Sequence, residues 1–462
     1  MANAQSPVPA LPGAVPLLGH LIPFVRNPMA FLHRVQEFGD LVQVRFGSTP
    51  VYVVTSPELL TRLLITNVRN FDKGRLFDKA RAVLGNGLLT SESDFHLRQR
   101  RLIQPAFHHA NITAWGATIH RTATAAVDSW TPHRPLDVAD AMHRISLDVI
   151  ADTLFAADAS PELKAKFLRS SPVIVRGFVT QILYPSGVLG RVPLPDNLRF
   201  RRAARELRGA FDDLVAARRD GPADRADLIS ALCGSHEGVG GGYAMTDEQV
   251  RDEAVSVLLA GTETVATAMA WLFHELSLRP ELQRQLRSEI RQVTAGRAVT
   301  VADLPRLAGL GNVLSETLRL HTPNWVLTRR ALVDTRFGEY HLPAGADLLF
   351  SPATLHRDAR RYPRPLTFDP ERWTSGRSPR ERNTLIPFGA GRRKCIGESF
   401  ARNEMLLIAA ACLTRWTLVP APHSTVTESK YLGTIQPRGL SLVPTPHAHP
   451  LTRADASDAP RP

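Results

Sequence analysis

Three groups of side chains have the types and spacings that chemistry requires. The first surrounds Cys395, in the run 388–397, FGAGRRKCIG. A lone cysteine is ordinarily a small, inert core residue. Here Arg392, Arg393 and Lys394 place cations directly before the thiol, and nearby positive charge favours the thiolate that binds metals. Gly389, Gly391 and Gly397 let the backbone approach a bulky planar group. The helical pattern after Gly397 puts Cys395 at a helix N-terminus, where backbone N–H groups reach the sulfur. The second group is Ala260-Gly261-Thr262-Glu263-Thr264. Glu263 is an acid in an apolar stretch, costly unless it has a partner or a task. Beside Thr264 it offers a proton relay, although a helical threonine also commonly bonds back to its own carbonyls. Gly261 weakens the helix there and opens space on one face. The third group is ionic: His96 and Arg100 at i, i+4, and Glu316 and Arg319 at i, i+3. Such pairs are individually commonplace and worth roughly a few tenths of a kcal/mol.

The elements that must position these groups are legible in outline. Asp247–Leu278 predicts one helix, opened by a Thr246/Gln249 capping box and closed before Pro280. Its length of about 32 residues is well above the mean of about 11–12. Because Ala254–Ala270 is apolar on nearly every face, the helix must run through the interior. Residues 1–28 read as an extended Pro/Gly-rich lead-in, and Pro28 opens a helix to about Phe38. Leu41–Phe46 and Val51–Thr55 read as a hairpin around residues 47–50. Helical patterns then dominate to Ser277, broken by a glycine-rich loop at Gly234–Gly242. Strand-like patches return at Ala331–Val333, Glu339–Leu342, Asp347–Ser351, Leu432–Ile435 and Leu440–Val443, and 445–462 reads as a disordered tail.

The cysteine loop resembles that of the cytochrome P-450 superfamily: Phe388, Gly391, Arg393, Cys395 and Gly397 fill all five of its recurring places. The other matches follow in the family's order. Ala260–Thr264 resembles the oxygen-activation motif, with Val265 where a second hydroxyl often stands. Glu316 and Arg319 resemble the Glu-x-x-Arg pair, completed by Arg372 of Pro370-Glu-Arg-Trp373 as scaffolding. His96, Arg100, Arg393 and a strand arginine, Arg329 or its neighbour Arg330, resemble the cations that hold the haem propionates. The resemblance covers roughly residues 10–444. It implies the mainly α P-450 fold as one domain over 29–444, with a smaller β-rich region and haem b between the central and cysteine-loop helices. Cys395 would be the axial iron ligand, with Phe388, Gly397, Ala260 and Gly261 against the haem and Thr264 and Glu263 delivering protons for the cleavage of O2.

Composition agrees with a soluble globular protein: 44% hydrophobic and 22% charged residues over 462. Three scattered cysteines suit a reducing, cytoplasmic setting better than a disulfide framework. The stretch Val15–Val25 is broken by Pro16, Gly19, His20 and Pro23, so no membrane anchor or signal sequence is expected. A net charge of +12 is spread along the chain without a nucleic-acid-binding signature. It suits an acidic ferredoxin, fed by a ferredoxin reductase, docking near Arg98, Arg101, Arg392 and Lys394; no fused electron-transfer module is apparent. The segments Phe77–Leu89, Leu258–Gly261, Trp325–Leu327 and Gly433–Gln436 are mostly apolar, and Phe77, Leu88, Leu89, Leu258, Trp325, Val326, Leu327 and Ile435 are the expected substrate wall. Sequence around Gln104–His108 and Trp325–Ala331 resembles actinomycete P-450s that oxidise cyclic sesquiterpenes. A terpene therefore ranks ahead of fatty acids, macrolides and polyketides, and the intact Glu263-Thr264 pair argues against a haem-binding sensor or carrier.

Overall fold

The computed structural model describes residues 6–155, 160–183, 192–219, 227–233, 245–374, 385–429 and 433–447. The expected glycine-rich loop, the start of the Leu432–Ile435 patch and most of the expected tail lie outside these residues.

The central helix spans Asp247–Ser277, and its capping box forms as the sequence predicts: Gln249 N–H donates to Thr246 Oγ1 at 3.3 Å and Thr246 N–H to Gln249 Oε1 at 2.9 Å. It packs against Val138–Leu154 and Pro195–Arg219. Among the described residues it alone is long and apolar enough to cross a membrane, but 78% of its apolar window is buried inside the protein. Glu398–Arg415, the helix after the cysteine loop, lies against His109–Asp128. One large core cluster joins all these helices.

The principal sheet orders its five strands Leu41–Phe46, Thr49–Val54, Asp347–Phe350, Leu327–Ala331 and Phe71–Asp72. All neighbours are antiparallel except Thr49–Val54 with Asp347–Phe350. The N-terminal hairpin turns at Gly47-Ser48, tighter than the four-residue connection expected, with Gly47 at φ 63°. A glycine takes that backbone without a Cβ penalty.

Several expectations change. The lead-in is not wholly extended: Leu21–Arg26 is helical, and Leu11 and Phe24 are buried in a second core with Trp325. Residues 433–436 form no strand; the pairing is Thr427–Glu428 with Pro437–Arg438. Trp416–Pro420, not expected as a strand from its sequence, pairs with Ser441–Pro446. Its isolated edge role leaves only a short alternation in the sequence.

Glu316 and Arg319, fully buried on Ala308–Leu320, form a two-pronged pair at 2.8 Å for both contacts. Arg372 Nε donates to Glu316 Oε1 at 3.4 Å and Trp373 Nε1 to Oε2 at 2.9 Å. The Arg319 guanidinium also donates to carbonyls of His356, Pro365 and Thr367. The helix is thereby tied to the chain that leads toward the cysteine loop. Removing one member of such a cluster strands a buried charge, whereas the intact pair adds little net stability. Arg319→Met is therefore expected to cost about 3–5 kcal/mol in denaturant unfolding; a loss below about 1 kcal/mol would contradict this account.

Candidate active site

The cysteine loop is shaped by two glycines in the left-handed region, Gly389 at φ 71° and Gly391 at φ 68°. A Cβ on Gly391 would stand 1.9 Å from the Leu64 carbonyl oxygen, so only glycine fits there. Cys395 N–H donates to the Phe388 carbonyl at 2.9 Å, closing the loop, and Gly397 caps the following helix. Phe388 lies under the Arg402 guanidinium at 5.0 Å. Cys395 has its exposed surface on a large internal cavity of about 1490 Å³, beside Phe388, Arg393 and Gly397.

Burial pushes the pKa of the Cys395 thiol up, and the Gly397 N–H, Arg100 and Lys394 only oppose that. Arg392 is exposed, while Arg393 turns to Asp72 Oδ1 at 2.6 Å and Glu92 Oε2 at 3.4 Å. Desolvation by the surrounding protein outweighs charge in the chain alone.

The other side of the cavity is a stripe of the central helix: Val257, Ala260, Gly261, Thr264 and Ala268. This is helical spacing, and it explains why Leu258, about 100° around the helix, faces the core instead. A Cβ on Gly261 would meet Ile150 Cδ1 at 2.5 Å, so this glycine admits the neighbouring helix as well as lining the cavity. The helix stays α-helical through it. Thr264 Oγ1 donates back to the Ala260 carbonyl at 2.7 Å, as the simpler reading of the threonine anticipates, yet the residue lines the cavity. Glu263 is 7% exposed, accepts from Gln436 Nε2 at 3.2 Å and has His143 Nδ1 at 3.7 Å. Burial pushes it up to about 7, where a carboxyl exchanges protons readily at neutral pH.

A cluster of basic side chains occupies a third wall. Of the two arginines on the strand Leu327–Ala331, Arg329 lines the cavity, whereas Arg330 does not and pairs with Asp78 at 2.9 Å and Asp347 at 3.4 Å. His96 and Arg100 share the helix Ser93–Ile103 and both reach the cavity. His96 is not a cation: burial first, then Lys73, Arg393 and Arg100, pushes it down to about 3. Burial and Arg393 also hold the Arg329 pKa down. Arg329 Nε and Arg393 Nη1 are buried without a partner. Mutually repelling cations with unspent donors, around a cavity holding one cysteine, fit a flat group with a metal and two carboxylates.

Of the expected substrate wall, Phe77, Leu88, Leu89, Val326 and Leu327 line the cavity. Leu258, Trp325 and Ile435 do not. Trp325, 1% exposed, packs 6.4 Å from Phe24, and Ile435 joins the same second core. Ile150, Leu154 and Ile174 line the cavity unforeseen. So does Lys73, and Asp72 and Glu92 steer Arg393 from 321 residues away in the first case. No local spacing signals such partners.

The family model described as "Cytochrome P450" matches residues 9–447. The chain belongs to this family. It is a cytochrome P-450 monooxygenase, and the family implies a haem. The chain is 40% identical to a cyclooctat-9-en-7-ol 5-monooxygenase of Streptomyces melanosporofaciens, with 90% of each chain covered. It is 36% identical to a pentalenene oxygenase of Streptomyces avermitilis, covering 93% of this chain and 96% of the other. A P-450 haem-domain crystal structure superposes with TM-score 0.82 at 23% identity, over 96% of this chain and 98% of that one. A retinoic-acid-bound cyanobacterial enzyme gives 0.83 at 22%, over 96% and 100%.

A buried acid with a raised pKa stabilises the fold while protonated. That contribution is full below about pH 4.5 and fades as pH rises through about 7. Glu263→Gln should therefore unfold at higher denaturant than wild type at about pH 8, by on the order of 3 kcal/mol, with the gap closing near pH 4.5. A gap of constant size from pH 5 to 8 would refute the burial of a titrating carboxyl here.

Proposed function

We propose that this P-450 uses haem b, O2 and electrons from a ferredoxin and its reductase to oxidise a cyclic terpene. The observation that carries this is one cavity with Cys395 and Thr264 on its wall and aliphatic side chains over much of the rest. The relatives named for a cyclooctatenol and for pentalenene support a carbocyclic hydrocarbon or alcohol of that kind. An aliphatic wall holds such a molecule by burial and shape, with little polar anchoring.

In this reading the Cys395 sulfur would hold the haem iron, with Phe388 and Gly397 shaping the loop around it. A coordinating thiol is deprotonated outright, so iron binding would outweigh the burial that pushes this thiol's pKa up. Arg100, Arg329 and Arg393 hold the two haem carboxylates by charge-assisted bonds, with neutral His96 as a further donor. Bound in this way, haem supplies the reductive activation of O2 and oxygen insertion into unactivated carbon. The chain's own part is proton supply. Glu263, near neutrality in pKa, passes protons to the Thr264 hydroxyl, which turns from the Ala260 carbonyl toward the cavity. Glu316, Arg319 and Arg372 act as scaffold.

Cys233, Cys395 and Cys412 are all unpaired, which suits the reducing cytoplasm that we assign. Arg98, Arg101, Arg392 and Lys394 are exposed, the last paired with Glu398 at 2.5 Å, and we assign them to the ferredoxin face.

Three measurements test this. Reduced protein treated with carbon monoxide should show the thiolate-type red-shifted Soret band in wild type and lose it in Cys395→Ala. Incubation with a cyclic sesquiterpene hydrocarbon, NAD(P)H, ferredoxin and reductase should yield an oxygenated product; turnover of a fatty acid in preference would overturn the terpene assignment. Turnover should fall steeply between low and physiological salt, because docking through exposed charges is screened over about 8–10 Å. Salt-independent turnover would remove the basic docking face.

A further inference from the structure

Residues 85–91 join the helix Arg75–Leu84 to the helix Ser93–Ile103 and carry Leu88 and Leu89 on the cavity wall. The loop has little regular structure, yet its backbone is held from two sides by buried charge. From the central helix, Asp252 Oδ2 accepts from Asn86 N–H and Glu253 Oε2 from Leu88 N–H, both at 2.7 Å. From the opposite side, Lys73 Nζ donates to the carbonyls of Leu88 and Leu89 at 2.8 Å and of Ser91 at 3.0 Å. An ammonium has three hydrogens, and this one directs all of them to a single loop. Gly85 and Gly87 make the approach possible: a Cβ on either would stand 2.1 Å from the Asp252 carboxylate or 2.3 Å from the Asp252 carbonyl.

Lys73 is 7% exposed and Glu253 fully buried. Burial drives both toward their neutral forms; for Lys73 the Glu92 carboxylate chiefly opposes it while Arg393 and Arg329 add to it, and for Glu253 the Leu88 N–H and then Lys73 oppose it. Two ionisable side chains withdrawn from water are expensive, and neither is among the groups assigned to haem, protons or scaffold. What they jointly hold is the backbone on either side of Leu88.

We propose that Lys73 and Glu253 are positioning residues for substrate selection, fixing residues 85–91 from opposite sides and so setting where Leu88 and Leu89 stand in the cavity. This rests on the cavity being the substrate site, not on the substrate being a terpene.

The test uses haem-loaded wild type, Lys73→Met and Glu253→Gln. Hydrogen–deuterium exchange of the segment 85–91 is expected to rise about tenfold or more in Lys73→Met, which frees three carbonyls, and by a smaller factor in Glu253→Gln, which keeps an acceptor for Leu88. Selectivity is read by spectral titration with imidazole and 4-phenylimidazole. The ratio of their dissociation constants should shift at least about fivefold in Lys73→Met, since a freed loop admits bulk differently from a small ligand. Unchanged exchange in both variants overturns the clamp. Faster exchange with an unchanged ratio overturns its role in selection. If Lys73→Met does not take up haem, Glu253→Leu, which deletes the Leu88 acceptor, carries both readouts with the same expectations. Neither readout needs a turnover substrate, so failure of terpene oxidation would leave the result intact.

Discussion

The central helix Asp247–Ser277 has almost no face that water can solvate, and the other elements are arranged by the need to cover it. Two helices, Val138–Leu154 and Pro195–Arg219, lie along much of it. Where the cover parts, the stripe from Val257 to Ala268 faces a cavity instead. The same apolar character that forces burial thus supplies the wall of the site. Of the polar residues on that helix, Asp252, Glu253, Glu263 and Thr264 are each fastened to a backbone or side-chain partner, whereas the Ser256 and Thr262 hydroxyls are buried without one. Unpaired, each of the former would carry the desolvation cost that makes buried polar groups rare.

Charge in the remaining walls follows a second constraint. Arg329 and Arg393 repel one another, with Arg100 on the same cavity, and Asp72 and Glu92 compensate only part of that repulsion. A fold does not gather such cations for its own stability. Their arrangement makes sense as one half of an ion-pair set whose other half arrives with a dianionic group.

How much of this was legible depended on whether a signal was local. The capping box at Thr246 and the hairpin strand Leu41–Phe46 are each contained in a few residues, and each stands where the sequence placed it. Signals that hinge on one residue of register fared less well. Leu258 and Val257 differ by one step of a helix, and Trp325 and Val326 by one step of chain, yet in each pair only the second lines the cavity. The thiol of Cys395 went the other way for a different reason: three basic neighbours are visible in sequence, but the desolvation that overrules them depends on how the whole chain packs. Lys73 gave no sign at all, because its partners are carbonyl oxygens, which every residue carries.

The ion pair between Asp72 and Arg393 spans 321 residues. At a synthesis rate of about 5–20 residues per second, roughly 16–64 s separate the emergence of its two ends from the ribosome. Through that interval the nascent chain presents an aliphatic hollow with one wall missing, the kind of surface that invites aggregation. Closure of the cavity wall that carries Cys395 and Arg393 is therefore a late event in biogenesis.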